Sequence, residues 1–157
     1  MKTIVIDLDG TLCDSAHRDH HARNSEWDQF HALLTEDKPH PDVLHLMELL
    51  HNLSDLRGPD EVELIGCTGR NERWRIATEK WLMEHGALLD CVLMRPDFDF
   101  RPDHELKIEM LEGWHYESGA EGRPQDRVAF ILEDREKVVE AWRDAGYNCW
   151  QVRPGNF

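Results

Sequence analysis

Apolar residues along this chain come in short runs that alternate with stretches of helical period. Residues 3–8 form a brief Ile/Val-rich run closed by Asp9-Gly10, which predicts a buried strand. Val43, Leu44, Met47 and Leu50 then recur at helical spacing, with Pro41 suited to the first helical turn. Residues 61–67 predict a second strand. Residues 71–85 predict a helix with Trp74, Ala77, Trp81 and Leu82 inward and Gly86 as its stop. A third strand is expected at 91–94. A helix follows at 103–111, with Leu106 and Met110 on one face. Residues 127–132 predict a fourth strand, 135–145 a helix closed by Gly146, and 148–152 a fifth strand.

Strands that alternate with helices imply an α/β fold, a Rossmann-like parallel sheet covered on both faces. Ligands of such sheets bind beyond the carboxyl ends of the strands, near the switch in strand order. Two stretches break the alternation. Residues 14–40 contain one short helix, 25–35, with Trp27, Phe30 and Leu34 on a face. Their place directly after the first strand predicts a small helical cap over the site. Residues 113–126 are polar, with Gly113, Gly119, Gly122 and Pro124, and read as a surface loop. The expectation is one domain over 1–157, with the cap inserted at about 14–40.

Composition narrows the class. A chain of 157 residues, 40% hydrophobic and 32% charged, suits one soluble core. No apolar run approaches a membrane span, and Asp7 and Asp9 interrupt the apolar start too early for a signal peptide. Cys13, Cys67, Cys91 and Cys149 form no Cys-x-x-Cys pair, so reduced thiols in the cytoplasm are expected, with Cys67 and Cys149 in the core. The net charge of −14 repels polyanions. Neither a membrane partner nor an extended nucleic-acid groove is therefore expected. A phosphate-bearing substrate would be caught locally, by a metal and a few arginines, as a small molecule or a strand end.

The residues that carry chemistry cluster where the fold expectation puts the site. Asp7-Leu8-Asp9-Gly10-Thr11 follows the first strand, with two carboxylates on one side of an extended segment and a Gly turn after them. Phosphoryl transfer through a covalent intermediate needs a carboxylate nucleophile, a second carboxyl to move a proton, and a metal to neutralise charge. Taken alone, Asp-Gly is also a common solvated turn. Thr68-Gly69-Arg70 ends the second strand, Asp103 and Lys107 lie on the helix after the third, and Glu133-Asp134-Arg135 ends the fourth. A surface charge cluster would not track strand ends in this way.

Asp7-Leu8-Asp9-Gly10-Thr11, Thr68, Lys107 and Glu133-Asp134 resemble, in order, the four motifs of the haloacid-dehalogenase-like (HAD) phosphatases. Within that superfamily the chain is similar to the phosphatase half of bacteriophage polynucleotide kinase–phosphatase. The likeness runs through Arg18, Thr68-Gly69-Arg70, Arg73, Trp81, Asp103, Lys107 and Glu133-Asp134-Arg135 to residues 138–143, 149–152 and 155–157. There are departures. No Gly-x-x-x-x-Gly-Lys-Ser/Thr occurs, so no kinase half is expected. Glu133 stands where the family usually has Asp, and residues 15–37 form a longer segment than in the kinase-fused enzyme.

The resemblance implies that Asp7 attacks phosphorus and that Asp9 protonates the leaving alkoxide, then activates water. It implies a Mg2+ ion held by Asp7, the Asp9 carbonyl and Asp134, with Glu133 on a metal-bound water. Thr68 would bond a phosphoryl oxygen, Lys107 would balance charge and Asp103 would orient Lys107. Arg18 and Arg70 would clamp the substrate beside Gly69, with His17 close by in the cap. The implied activity is a 3′-phosphatase on nucleotide or nucleic-acid ends. A 5′-nucleotidase acting on free nucleoside monophosphates is the rival, then a phosphotransferase. A non-catalytic nucleotide-binding module is disfavoured by the complete catalytic set.

Other residues read as structural. His17-Arg18-Asp19-His20-His21 matches no zinc spacing. Trp74, Trp81, Trp142 and Trp150 are expected in the core. Trp27 is the one candidate base platform, though core packing is the simpler expectation. His104 is either a pocket wall or an exposed helix residue.

Overall fold

The computed structural model describes residues 2–57 and 62–155. Strand β1 (Lys2–Ile6) leads through a tight turn into β2 (Cys13–Asp14). Next come α1 (Asp19–Arg23), α2 (Trp27–Ala32), a 3-10 turn (Leu34–Glu36) and β3 (Lys38–Pro39). The chain continues with α3 (Pro41–Arg57), β4 (Val62–Asn71), a 3-10 turn (Glu72–Trp74), α4 (Arg75–Glu84), β5 (Cys91–Arg95) and α5 (Asp103–Glu117). It closes with α6 (Pro124–Arg127), β6 (Val128–Arg135), α7 (Glu136–Asp144) and β7 (Cys149–Gly155). Among the described residues, no helix is long and apolar enough to cross a membrane.

The expected α/β architecture is present. The central sheet has five strands in the order β5-β4-β1-β6-β7, and its paired strands run parallel. Side chains alternate across β1, so Ile4 and Ile6 face one layer and Val5 the other. Ile4 and Ile6 pack with Val43 and Met47 of α3 and Trp81 and Leu82 of α4. Val5 packs with Leu111 of α5 and Val138, Val139 and Trp142 of α7. The strand order reverses at β1, whose neighbours are β4 on one side and β6 on the other. Asp7 sits just past its carboxyl end, the expected place for a ligand site.

Residues 15–37 lie between the strands of a small antiparallel ribbon, in which Cys13 pairs with Pro39 and Asp14 with Lys38. The single helix expected at 25–35 is instead α2 and a 3-10 turn, with α1 ahead of them. Phe30 and Leu34 are buried as expected, whereas Trp27 is 47% exposed. The α2 segment is only six residues long, so it covers Phe30 and leaves the Trp27 ring at its edge. Trp150 also departs from the core expectation. It is 49% exposed, stacked flat on Phe130 at 4.3 Å, because β7 is an edge strand.

The expected loop at 113–126 is mostly helical. Helix α5 runs on to Glu117 because His115 is buried and Trp114 packs on the core, where the Arg127 guanidinium covers its ring at 4.1 Å. The loop shrinks to the turn around Gly119, and Pro124 opens the short α6. Strands β4 and β6 continue past their expected ends at Cys67 and Leu132, carrying Thr68, Gly69, Glu133 and Asp134 on the strands themselves. Glu61, expected to open the second strand, lies outside the described residues.

The fully buried Trp81 ties the cap to the sheet layer: its indole N–H donates to the carbonyl of Asp37 at 2.8 Å. Replacing it by Phe strands that buried carbonyl, a loss of about 1–3 kcal/mol. Trp81→Phe is expected to lower the unfolding free energy by that amount, with a correspondingly lower urea midpoint, measured by equilibrium unfolding. An unchanged midpoint would show that the tie contributes nothing.

Candidate active site

Asp7 is nearly buried, and its backbone N–H continues the ladder to the Leu132 carbonyl at 3.0 Å. Its Oδ1 accepts from the Lys107 ammonium at 2.6 Å, and Lys107 also donates to Glu133 Oε2 at 2.7 Å. Lys107 comes from the first turns of α5, one helical turn past Asp103, so both face the sheet edge. Burial alone would lower the Lys107 pKa, but Asp7 and Glu133 hold it well above the ordinary range. Glu133 Oε1 accepts from the backbone N–H groups of Asp134 and Arg135, both at 3.3 Å. Asp134 accepts from the Thr11 hydroxyl at 3.4 Å. The turn after Asp7 is glycine for a steric reason: Gly10 has φ +87°, and a Cβ there would lie 2.2 Å from Asp134 Oδ2.

Asp7, Glu133 and Asp134 offer oxygen atoms within 4.8 Å of one another, so this cluster could hold a metal. The donor set suits a hard divalent cation. One observation favours that fit: Asp7 Oδ2 is buried with no hydrogen-bond partner among the described residues. Electrostatics agree, because three buried carboxylates face one ammonium. Burial and Glu133 push the Asp7 carboxyl up, and burial and Asp7 push Asp134 up. A cation would relieve both.

Asp9 belongs to a second ionic network. Arg70 grips it in a fork, Nε at 3.1 Å from both oxygens and Nη2 at 2.6 Å from Oδ1, and Arg18 Nη2 adds a bond of 2.5 Å. Burial would raise the Asp9 carboxyl, but the two guanidiniums hold it far below the usual carboxylate range. Asp37 clamps the same arginines from behind, paired with Arg18 through both oxygens and with Arg70 at 3.1 Å. His17 Nε2 also meets Asp37, at 2.9 Å. Arg18 and Arg70 have no exposed surface. The arginines and His17 thus surround Asp9 and Asp37 rather than line the open cavity. The second acidic cluster, Asp9, Cys13 and Asp37, is filled by these guanidiniums.

Thr68 is buried at the β4 end, its hydroxyl accepting from the Arg70 N–H at 3.3 Å. Asp103 pairs with Arg95 and Arg135, and no hydrogen bond links it to Lys107. A Cβ on Gly69 would stand 2.7 Å from Asp103, so glycine lets the strand and that carboxylate approach. Above the floor opens a cavity of about 830 Å³ bounded by Asp7, Asp9, Gly69, Asp103 and Lys107, by α2, and by residues 97–101. His104 is a wall of it, and so is Trp27.

Three participants were not foreseen. Asp37 closes the arginine network. Arg95 ties Asp103 to the Gly69 carbonyl at 3.1 Å. His31 lines the cavity and is neutral at pH 7, because burial pushes it down to about 4 against the pull of Asp9. Only the excess of cap acids facing paired arginines hinted at the first, and no sequence signal marks the other two.

The whole chain, residues 1–157, matches the family model for the polynucleotide kinase PNKP phosphatase domain. Among solved structures it is similar to a chain of the Pnkp1/Rnl/Hen1 RNA repair complex, at 27% identity and TM-score 0.76, covering 99% of this chain and 43% of that one. The chain thus spans less than half the length of that relative. The fold is shared with a haloacid dehalogenase-like hydrolase from Streptococcus pneumoniae (15% identity, TM-score 0.64, 98% and 87% covered). It is shared too with a HAD-superfamily hydrolase of subfamily IA from Geobacter sulfurreducens (14%, TM-score 0.62, 99% and 92%).

The crowded carboxylates have a measurable signature without metal. Asp134 is raised in the folded state, so in its window the folded protein holds a proton that the unfolded chain has released. Its contribution therefore falls as pH rises above the ordinary carboxylate range near 4. In EDTA, Asp134→Asn is expected to flatten this decline and to melt several degrees above wild type at pH 8, at about 2–4 °C per kcal/mol. Calorimetry from pH 5 to 8 checks it; a lower midpoint for the variant would contradict it.

Proposed function

Because this chain belongs to the polynucleotide kinase PNKP phosphatase-domain family and is a phosphatase of the HAD type, we propose that it hydrolyses phosphate monoesters on nucleotide or nucleic-acid ends through an aspartyl-phosphate on Asp7. The observation that carries this reading is the unpartnered Asp7 oxygen, set beside Lys107 at the floor of the cavity. Asp7 attacks phosphorus in line, and the P–O bond to the leaving alkoxide breaks. Lys107 offsets the charge on Asp7 and the transferring group. Thr68 bonds a phosphoryl oxygen. The Asp7 and Asp134 carboxylates and the Asp9 carbonyl would hold magnesium, with Glu133 beside it. The cation would neutralise charge on the phosphoryl oxygens.

Asp9 moves the proton. It protonates the leaving alkoxide in the first half and takes a proton from the attacking water in the second. The fork of Arg70 and Arg18 keeps it ionised at rest, the form needed for the second half. A proton on Asp9 in the first half requires these guanidiniums to loosen and is taken up from solvent, to which the proton captured from water in the second half returns. On this reading Arg18 and Arg70 act on substrate through Asp9, and His17 and Asp37 hold the arginines. Asp103, held by Arg95 and Arg135, fixes the Gly69 wall beside the phosphate.

Family membership favours a 3′-phosphatase, and the RNA repair complex that contains the similar chain makes RNA ends candidates. The nucleotidase reading keeps support from the −14 charge and from a lining that mixes Asp97, Asp99 and Asp103 with Arg73, Arg95 and Arg101. Both features suit a short substrate.

Asp7→Asn is expected to lose at least several orders of magnitude in turnover, since covalent catalysis has no substitute route. EDTA is expected to abolish activity and magnesium to restore it better than calcium. Phosphate release from 3′- and 5′-phosphorylated nucleotides measures both, and wild-type-like turnover of the variant would end the proposal. Asp9→Asn separates the two halves. With p-nitrophenyl phosphate, whose leaving group needs little protonation, it should give a burst near one nitrophenol per enzyme, then a slow phase about 10²–10⁴-fold down. Stopped-flow absorbance reads this, and a uniformly slow trace without a burst would remove Asp9 from the second step.

A further inference from the structure

Three large aromatic side chains stand in solvent around one cavity: Trp27 at 47%, Phe98 at 86% and Phe100 at 88% exposure, whereas the exposed Tyr116 and Trp150 lie away from it. All three line the cavity whose floor holds Asp7, Asp9 and Lys107. Trp27 comes from α2 of the cap, and the two phenylalanines come from the segment between β5 and α5. That segment is held in place. The Arg95 guanidinium bonds the carbonyls of Asp99 and Arg101 at 2.9 and 2.8 Å, and the Asp97 carboxylate accepts the Arg73 N–H at 3.1 Å. Phe98 also adopts φ +66°, a conformation that costs a bulky residue energy. The segment therefore spends backbone strain and exposed apolar area to hold its rings at the mouth.

We propose that Trp27, Phe98 and Phe100 form a stacking platform for the unpaired bases that follow the terminal phosphate, and that this platform sets specificity for single-stranded ends. The proposal rests on the nucleotide-end reading of the site above. Three features select a base over another apolar occupant. The platform is continuous with the phosphate-handling floor, so the occupant must be attached to a phosphate. The rim carries Arg73, Arg101 and Lys137, cations suited to the next phosphates along a strand. Arg73 is paired with the 70%-exposed Asp28, and such exposed pairs exchange readily. Finally, rings offer π-faces that every base can use, which lets a chain of charge −14 hold a strand without a basic groove.

The test uses the full chain and four-residue single strands ending in a 3′-hydroxyl, either with bases or with abasic sugars at the last two positions. These are products, so binding is read without turnover. Stacking contributes about 5- to 150-fold in affinity per base. Wild type should bind the base-bearing strand tighter by at least the one-base factor of about 5-fold, and by more where both bases stack. Phe98→Gly (which removes the ring and suits the positive φ), Phe100→Ala and Trp27→Ala together should abolish the difference, with the melting midpoint unlowered. Equal affinities in wild type, or a difference that survives the triple variant, would overturn the platform. Hydrolysis of the matching 3′- and 5′-phosphorylated strands is measured in parallel. Base-dependent binding without hydrolysis of either keeps the platform and refutes the phosphatase reading on nucleic-acid ends. Hydrolysis that ignores the bases, with equal affinities, keeps the activity and refutes the platform.

Discussion

Everything at the carboxyl edge of this sheet answers to one problem: too many carboxylates in too little water. Asp7, Glu133 and Asp134 converge on a point where a single buried ammonium, Lys107, supplies the counter-charge. Removing one partner from such a buried group leaves the others uncompensated. The neighbouring parts serve the same need. Helix α5 presents Lys107, two backbone N–H groups turn toward Glu133, and Gly10 makes room for Asp134. A cluster held together against repulsion is costly for the fold, and that cost makes it receptive to a cation.

The second network solves a different problem, that of keeping Asp9 charged and aimed. Its two guanidiniums are wholly buried, and Asp37 completes their coordination. The network joins layers: Arg18, His17 and Asp37 belong to the cap segment, Arg70 to β4 and Asp9 to the turn after β1. The Trp81 bond to the Asp37 carbonyl pins the same junction from below. Cap position and the state of the Asp9 carboxyl are therefore coupled through shared ion pairs. A shift of the cap that parts Asp37 and Arg18 from Arg70 and Asp9 changes how firmly Asp9 is held.

Much of this was legible in the chain because the relevant signals are local. Short β-branched runs ending in Asp-Gly or Thr-Gly mark strand ends, and in a parallel sheet strand ends are where ligands gather. That logic located Asp7, Asp9, Thr68, Lys107 and Glu133-Asp134 at one edge. Their chemical roles are a further step that position alone does not decide. What local signals missed has a common cause. Asp37, His31 and Arg95 matter through contacts set by tertiary packing, and no spacing says which acid will meet which arginine. The polar composition of residues 113–126 suggested a loop, but Trp114 and His115 found a core to join. Trp27 and Trp150 read as core because periodicity reports a face and not whether a neighbour covers it.

The position of β1 at the centre of the sheet has a consequence for how the protein comes into being. Its two flanking strands, β4 and β6, lie far downstream, and Lys107 is a hundred residues beyond Asp7. On a ribosome the first strand emerges long before anything it can pair with, and the acids at its end wait for their lysine. No partial chain lacking β6 can assemble the cluster, since Glu133 and Asp134 arrive with that strand. Non-local pairing of this kind is slow. The acidic cluster thus cannot form until β6 has been made, and the nascent chain must keep an Ile/Val-rich strand from straying meanwhile. The charges at its ends, Lys2 at its start and Asp7 and Asp9 after it, help by keeping the exposed segment charged and apart from its neighbours.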